Sequence, residues 1–213
     1  MSLITAGVLL YVAAVQAEQP PPDWLIVPGE RVGPVTATTS EVMLERLFGA
    51  DNVERVDVHL GEGFTEPGTT VFPGAPTERI EIVWRDDARA APREVRLTGD
   101  ASRWRTAEGI SLGSTLKEIE HLNGFPFRLV GFGFDYGGTI THCGRGRLRM
   151  LSCSSPDEAP QGRLVILRLG PAVRSRMRPE YGQVLGDRDF SSGHSAMQAL
   201  NPRVYQMILS FPQ

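Results

Sequence analysis

Basic excess is missing from this chain: 22 Lys and Arg stand against 25 Asp and Glu in 213 residues, a formal net charge of -3. With a pI near 5.8, nucleic acid is excluded as an expected partner, because such binding rests on neutralising phosphates with a basic surface. Metal-ligand spacing is lacking too. Cys143 and Cys153 are the only cysteines, they form no C-x-x-C pair, and His142 beside one of them does not make a zinc set. There is no G-x-S-x-G elbow, no G-x-G-x-x-G at a strand-to-helix turn and no Walker lysine, so no cofactor is expected. The apolar run "ITAGVLLYVAAVQA" at residues 4–17 is too short for a comfortable membrane span, which takes about 20 apolar residues.

That run is informative about location. It ends in Ala14, Val15, Gln16 and Ala17, a variant of the small-residue cleavage pattern, and reads as a signal-peptide core over 1–17 although no Lys or Arg precedes it. The other reading is a buried N-terminal helix or strand. Removal of the signal predicts an exported protein, periplasmic or secreted, with no transmembrane segment in the mature chain. No cysteine follows the run, so a lipid anchor is not expected. In an oxidising compartment Cys143 and Cys153 can close one disulfide, worth about 2 to 3 kcal/mol through restriction of the unfolded chain; the alternative is two separate thiols.

A proline-rich lead-in over 18–31, "EQPPPDW" at its start, cannot begin inside a regular element. Beyond it the chain can be laid on itself by placing Gly49 over Gly124. Val35 then meets Ile110, Ser40 meets Thr115, Leu44 meets Ile119, and Glu45 meets Glu120. Each copy carries a helix grammar: a hydroxyl residue to accept from first-turn amides, an apolar stripe at Leu44, Leu47 and Phe48 or at Leu116, Ile119 and Leu122, and a glycine stop. Thr115 and Glu118 have capping-box spacing. Helices this short need a sheet to pack on. Strands are predicted from alternation at Val56, Val58 and Leu60, at Ile80, Ile82 and Trp84, and at Val95 and Leu97, then at Phe127 and Leu129, over 164–169, and over "RVYQMILSF" near the end. The order predicts an α+β fold of two tandem units, residues 32–106 and 107–213, each a short helix on an antiparallel sheet with the helices on one face; the two sheets can join edge to edge.

Gly109, Thr115, Glu118, Ile119, Leu122, Gly124 and Pro126 together resemble the repeat of the β-lactamase inhibitor protein and of small outer-membrane assembly lipoproteins. The first copy departs from it, with Pro34 in place of the leading glycine and Asp51 in place of the proline. The whole chain also resembles a group of uncharacterised secreted bacterial proteins, a likeness that supplies no activity. The inhibitor-like resemblance implies a non-enzymatic binding surface on an exported protein.

Three sets of residues are candidates for a site. Phe132, Phe134 and Tyr136, spaced by two in "GFGFDYGG", are expected on one strand face, as core or as an aromatic binding strip. Arg145, Arg147 and Arg149 share the same spacing and on a strand form a basic face for an acidic protein or an anionic envelope component. "GDRDFSSGHS" brings together Asp187, Asp189, Ser192 and His194, the residue types of a secreted hydrolase; the plainer reading is a turn whose polar side chains serve local backbone groups.

Overall fold

The computed structural model describes residues 23–149 and 165–211. The expected signal peptide, Cys153 and most of the proline-rich lead-in lie outside the described residues. The fold is α+β, with four short α-helices and thirteen strands among the described residues.

The chain starts as a small sheet: β1 Leu25–Val27, β2 Arg31–Val32 and β3 Val35–Thr36 are antiparallel neighbours. Helix α1, Glu41–Phe48, follows. Ser40 Oγ accepts from Met43 N–H at its start, and Gly49 ends it with φ 85°, a conformation that favours glycine. Four strands come next: β4 Val53–Gly61, β5 Phe64–Val71, β6 Ile80–Trp84 and β7 Pro92–Thr98. Then β8, Arg105–Thr106, returns parallel to β1 and completes the first small sheet.

In the second half, α2, Leu116–Asn123, has the predicted capping box between Thr115 and Glu118 and a left-handed Gly124. It is followed by β9 Arg128–Val130, β10 Ile140–His142 and β11 Val165–Gly170. The end of the chain supplies α3 Pro179–Gly182, β12 Asp189–Ser191, α4 Ser195–Leu200 and β13 Arg203–Ser210. β9, β10 and β12 form a separate three-stranded sheet.

The two halves meet in one six-stranded antiparallel sheet of order β11-β13-β7-β6-β5-β4. The first half contributes four strands and the second two, so the edge-to-edge joint falls at β7 and β13, where Leu97 faces Met207 and Val95 faces Leu209. Those residues, with Ile80, Ile82, Val165 and Leu167, line one side of the sheet and share a single buried cluster with Leu44, Ile119 and Met197 of the helices. The two capped helices keep different company: α1 lies against β4 and β5, α2 against α4. The stripe expected on α1 also shifts. Leu44 and Phe48 are buried, but Leu47 is exposed, and Glu41 takes the third inward place because positions i, i+3 and i+7 share a face.

The other side of the sheet is polar. The β4–β5 ladder runs on to Gly61 and Phe64, whereas β5–β6 pairing stops at Gly68 and Val83. The unsupported part of the hairpin bends over the polar side, so that Arg96 Nη1 donates to His59 O at 3.1 Å. Gly68 makes the bend possible: a Cβ there would stand 2.5 Å from Val58 Cγ2 and 2.6 Å from Ile82 O. At the hairpin tip Glu62 N–H donates to the carboxylate of Asp135, tying the first half to the loop after β9.

Candidate functional site

The loop over 131–139 is where the features converge. Its sequence predicts a strand with three aromatics on one face, and the structure corrects this. Phe132 makes only an isolated bridge with Leu185, and residues 133–138 are bends and turns. Glycine is the reason: Gly138, at φ +77°, passes so close to β11 that a Cβ would sit 1.7 Å from Leu169 O, while Leu169 N–H donates to Gly138 O at 2.9 Å. The loop thus seals the outer edge of β11 instead of adding a regular strand.

Freed from a strand, the three aromatics part. Phe132 is buried and stacks on Tyr181, ring centroids 6.1 Å apart. Phe134 is partly exposed and lines an open cleft of about 730 Å³, whose other walls are Pro171 to Val173, Arg176, Tyr181 and Arg203 to Tyr205. Tyr136 turns the other way, lying against Gly61 and placing its ring 4.9 Å from the Arg168 guanidinium carbon. Apolar side chains crowd the rim of the cleft. Val173 is 77% and Met177 89% exposed, and Leu185 stands beside Gly133 at 40% exposure. Arg176 and Arg203 supply positive charge to the same cleft and Asp100 and Asp135 negative charge. Burial, the largest influence, and Asp135 push the Tyr205 phenol up, against Arg168 and Arg176, so it stays a neutral donor.

Arg145, Arg147 and Arg149 are not on a strand either. Residues 144–148 form turns and bends, yet all three arginines are exposed. Asn123, the last residue of α2, shapes this stretch: its buried amide Nδ2 donates to Phe125 O at 2.8 Å and Cys143 O at 3.2 Å, and its Oδ1 accepts from Leu148 N–H at 3.1 Å. Gly146 leaves room for it, since a Cβ there would lie 1.9 Å from Asn123 Oδ1. The role of Asn123 is invisible in the sequence, where it reads only as a helix-ending residue. Cys143 is buried and disulfide-bonded.

The hydrolase constellation does not assemble. Ser192 is fully buried, accepts from Phe127 N–H at 2.9 Å and gives its proton to Glu120 on α2. With Ser192 N–H donating to Phe127 O at 2.7 Å, the side chain and backbone continue the β9–β12 ladder by one step. His194 caps α4 by accepting from Ala196 N–H at Nδ1, 3.1 Å away, and packs on Phe190. Asp189 lies on the surface, bonded to Thr141 and Arg128, and Asp187 is exposed in a turn. Each polar group serves the local backbone or a surface pair, and the nucleophile is inaccessible. Among the described residues no three His, Cys, Asp or Glu gather closely enough to hold a metal ion, and no helix is long and apolar enough to cross a membrane.

Arg168 is the site residue that sequence reading left unsingled, one arginine among many in the second half. It is buried on the polar side of β11, and only the alternation of "LVILRL", which puts Arg168 between two core leucines, hints that it faces away from the core. Comparison with family models, with curated proteins and with solved structures finds no match.

Proposed function

We propose that this protein is an exported, non-enzymatic binding module, periplasmic or secreted, that engages a protein partner through the cleft beneath the 131–139 loop. The observation that carries the reading is the rim of that cleft: Phe134, Val173, Met177 and Leu185 expose apolar surface around a concavity of about 730 Å³. Clustered exposed apolar side chains on a soluble fold mark interaction surfaces, and an aromatic anchor with nearby arginines is the composition of binding hot spots. The oxidised state of Cys143 supports export, since such bonds persist outside the reducing cytosol.

The inhibitor-like resemblance is supported by the matched caps of α1 and α2 and by the burial of Val35 and Leu44 as of Ile110 and Ile119. The exposed Arg145, Arg147 and Arg149 form a second contact surface, suited to an acidic protein or an anionic envelope component. Three baits test the reading on an envelope extract: wild type, Val173→Ser with Met177→Ser, and the triple Arg145→Ser, Arg147→Ser, Arg149→Ser. A protein retained by wild type and lost from the cleft variant is the expected result. Equal retention on wild type and the cleft variant removes the cleft from the proposal, and equal retention on the triple variant removes the arginines.

A further inference from the structure

Arg168 is a buried cation without an anion. The residue is 9% exposed, and its hydrogen bonds go to neutral oxygens: Nε donates to Thr139 Oγ1 at 3.2 Å and Nη1 to Gln206 Oε1 at 2.7 Å. Its other terminal nitrogen, Nη2, has no hydrogen-bond partner among the described residues. Tyr136 covers one face of the guanidinium. The charged side chains that bear on it are Arg96, which repels it, and Glu94, which is held by Arg96 Nε at 2.6 Å. Burial holds the Arg168 pKa below its usual value. A cation withdrawn from water is expensive unless an opposite charge meets it.

Space for such a charge adjoins it. Gln206, which accepts from Arg168, also lines a second cavity of about 340 Å³ beneath the bent β4–β5 hairpin, together with His59, Glu81, Arg96 and Thr98. The other arginines of this cavity are matched inside the protein: Arg79 pairs with Glu81 at 2.6 Å and Arg96 with Glu94. Arg168 is the surplus. One surplus cation suits one negative charge, and Asp57 and Glu81 in the cavity wall oppose a second.

We propose that Arg168 anchors a binding site for a single carboxylate, which enters through the cavity under the β4–β5 hairpin and accepts from Nη2. The site lies on the polar side of the sheet and is independent of the role given to the aromatic cleft. The same chemistry is offered by a small organic acid and by an acidic side chain of a partner. Acetate and a glutamate blocked at both backbone ends separate them.

Thermal unfolding of the full chain is followed in chloride and in each carboxylate at matched ionic strength and pH. Ligand that binds only the folded state raises Tm with its concentration. Wild type is expected to bind one or both carboxylates about tenfold more tightly than chloride, as a charge-assisted bond to a desolvated guanidinium implies. A response to both probes admits small acids, and a response to blocked glutamate alone assigns the site to a side chain. Gln206→Glu places a carboxylate on Nη1 from within; it is expected to be more stable than wild type in chloride and to lose the response. Arg168→Met is expected to lose the response as well, and should it fail to fold, Gln206→Glu decides. Equal Tm in chloride and both carboxylates for wild type, or a response in Gln206→Glu equal to that of wild type, overturns the proposal.

Discussion

Glu41 provides the sharpest test of how the first half holds together. It is buried at the first turn of α1, where its carboxylate accepts from Thr69 Oγ1 at 2.7 Å, from Arg55 Nη2 at 2.6 Å and from Arg89 Nη1 at 3.5 Å. Thr69 in turn accepts from Trp84 Nε1 at 2.9 Å, so one carboxylate links helix, sheet and the turn before β7. Glu41→Gln keeps the shape and removes the charge. Arg55 is 70% exposed, and no energy is assigned to it. The buried Thr69 bond falls from charge-assisted to neutral, about 1 kcal/mol. Loss of the partly buried Arg89 pair costs about 1 kcal/mol, and loss of a negative charge at a helix N-terminus about 0.5 kcal/mol. The sum, about 2 to 3 kcal/mol, corresponds to a fall in Tm of roughly 4 to 10 °C for a chain of this size. Burial pushes the Glu41 pKa up, but the hydrogen bonds from Arg55 and Thr69 and the charges of Arg89 and Arg55 outweigh it and hold the group below its usual value. The unfolded chain therefore takes up the proton first as pH falls. The stabilisation is complete above the unfolded pKa and disappears as pH drops through the lowered folded one. Urea unfolding of wild type and Glu41→Gln at neutral pH, and again below the carboxylate range, should show a gap that closes in acid. Equal stability at neutral pH, or a gap unchanged in acid, refutes the reasoning.

Asn123→Ala strips three buried backbone groups of their partners and should cost about 3 to 5 kcal/mol, with hydrogen exchange faster at Leu148 than across β6. A loss below 1 kcal/mol would show that the turn holds itself. Ser192→Ala leaves Phe127 N–H without its acceptor and should lower stability by about 1 to 3 kcal/mol, without altering hydrolysis of a test ester. An unchanged Tm with loss of an esterase activity would restore the hydrolase reading.

Much of the local structure was legible in advance because its causes are local. Ser40 and Thr115 cap their helices through bonds that reach three residues, and the alternation in β4, β6, β7 and β13 follows from the pleat. β5 was not, since Pro67 and Gly68 interrupt its pattern. The site was less legible still. The spacing of Phe132, Phe134 and Tyr136 suits a strand equally well, and it takes Leu169, far along the chain, to draw Gly138 into a turn and send the aromatics apart. The spacing of Arg145, Arg147 and Arg149 misled for the same reason, the decisive contact being Asn123.

The amino-acid order alone determined where the helices begin and stop, which strands form the sheet and that the fold is α+β, because capping and periodicity are settled within one or two turns of chain. Only the tertiary structure decided that β13 lies between β7 and β11, that Ser192 is sealed against Glu120, and that Arg168 is withdrawn from water with no acid to meet it. Burial and charge pairing depend on neighbours tens of residues away, and no local pattern encodes which of many arginines the fold will enclose.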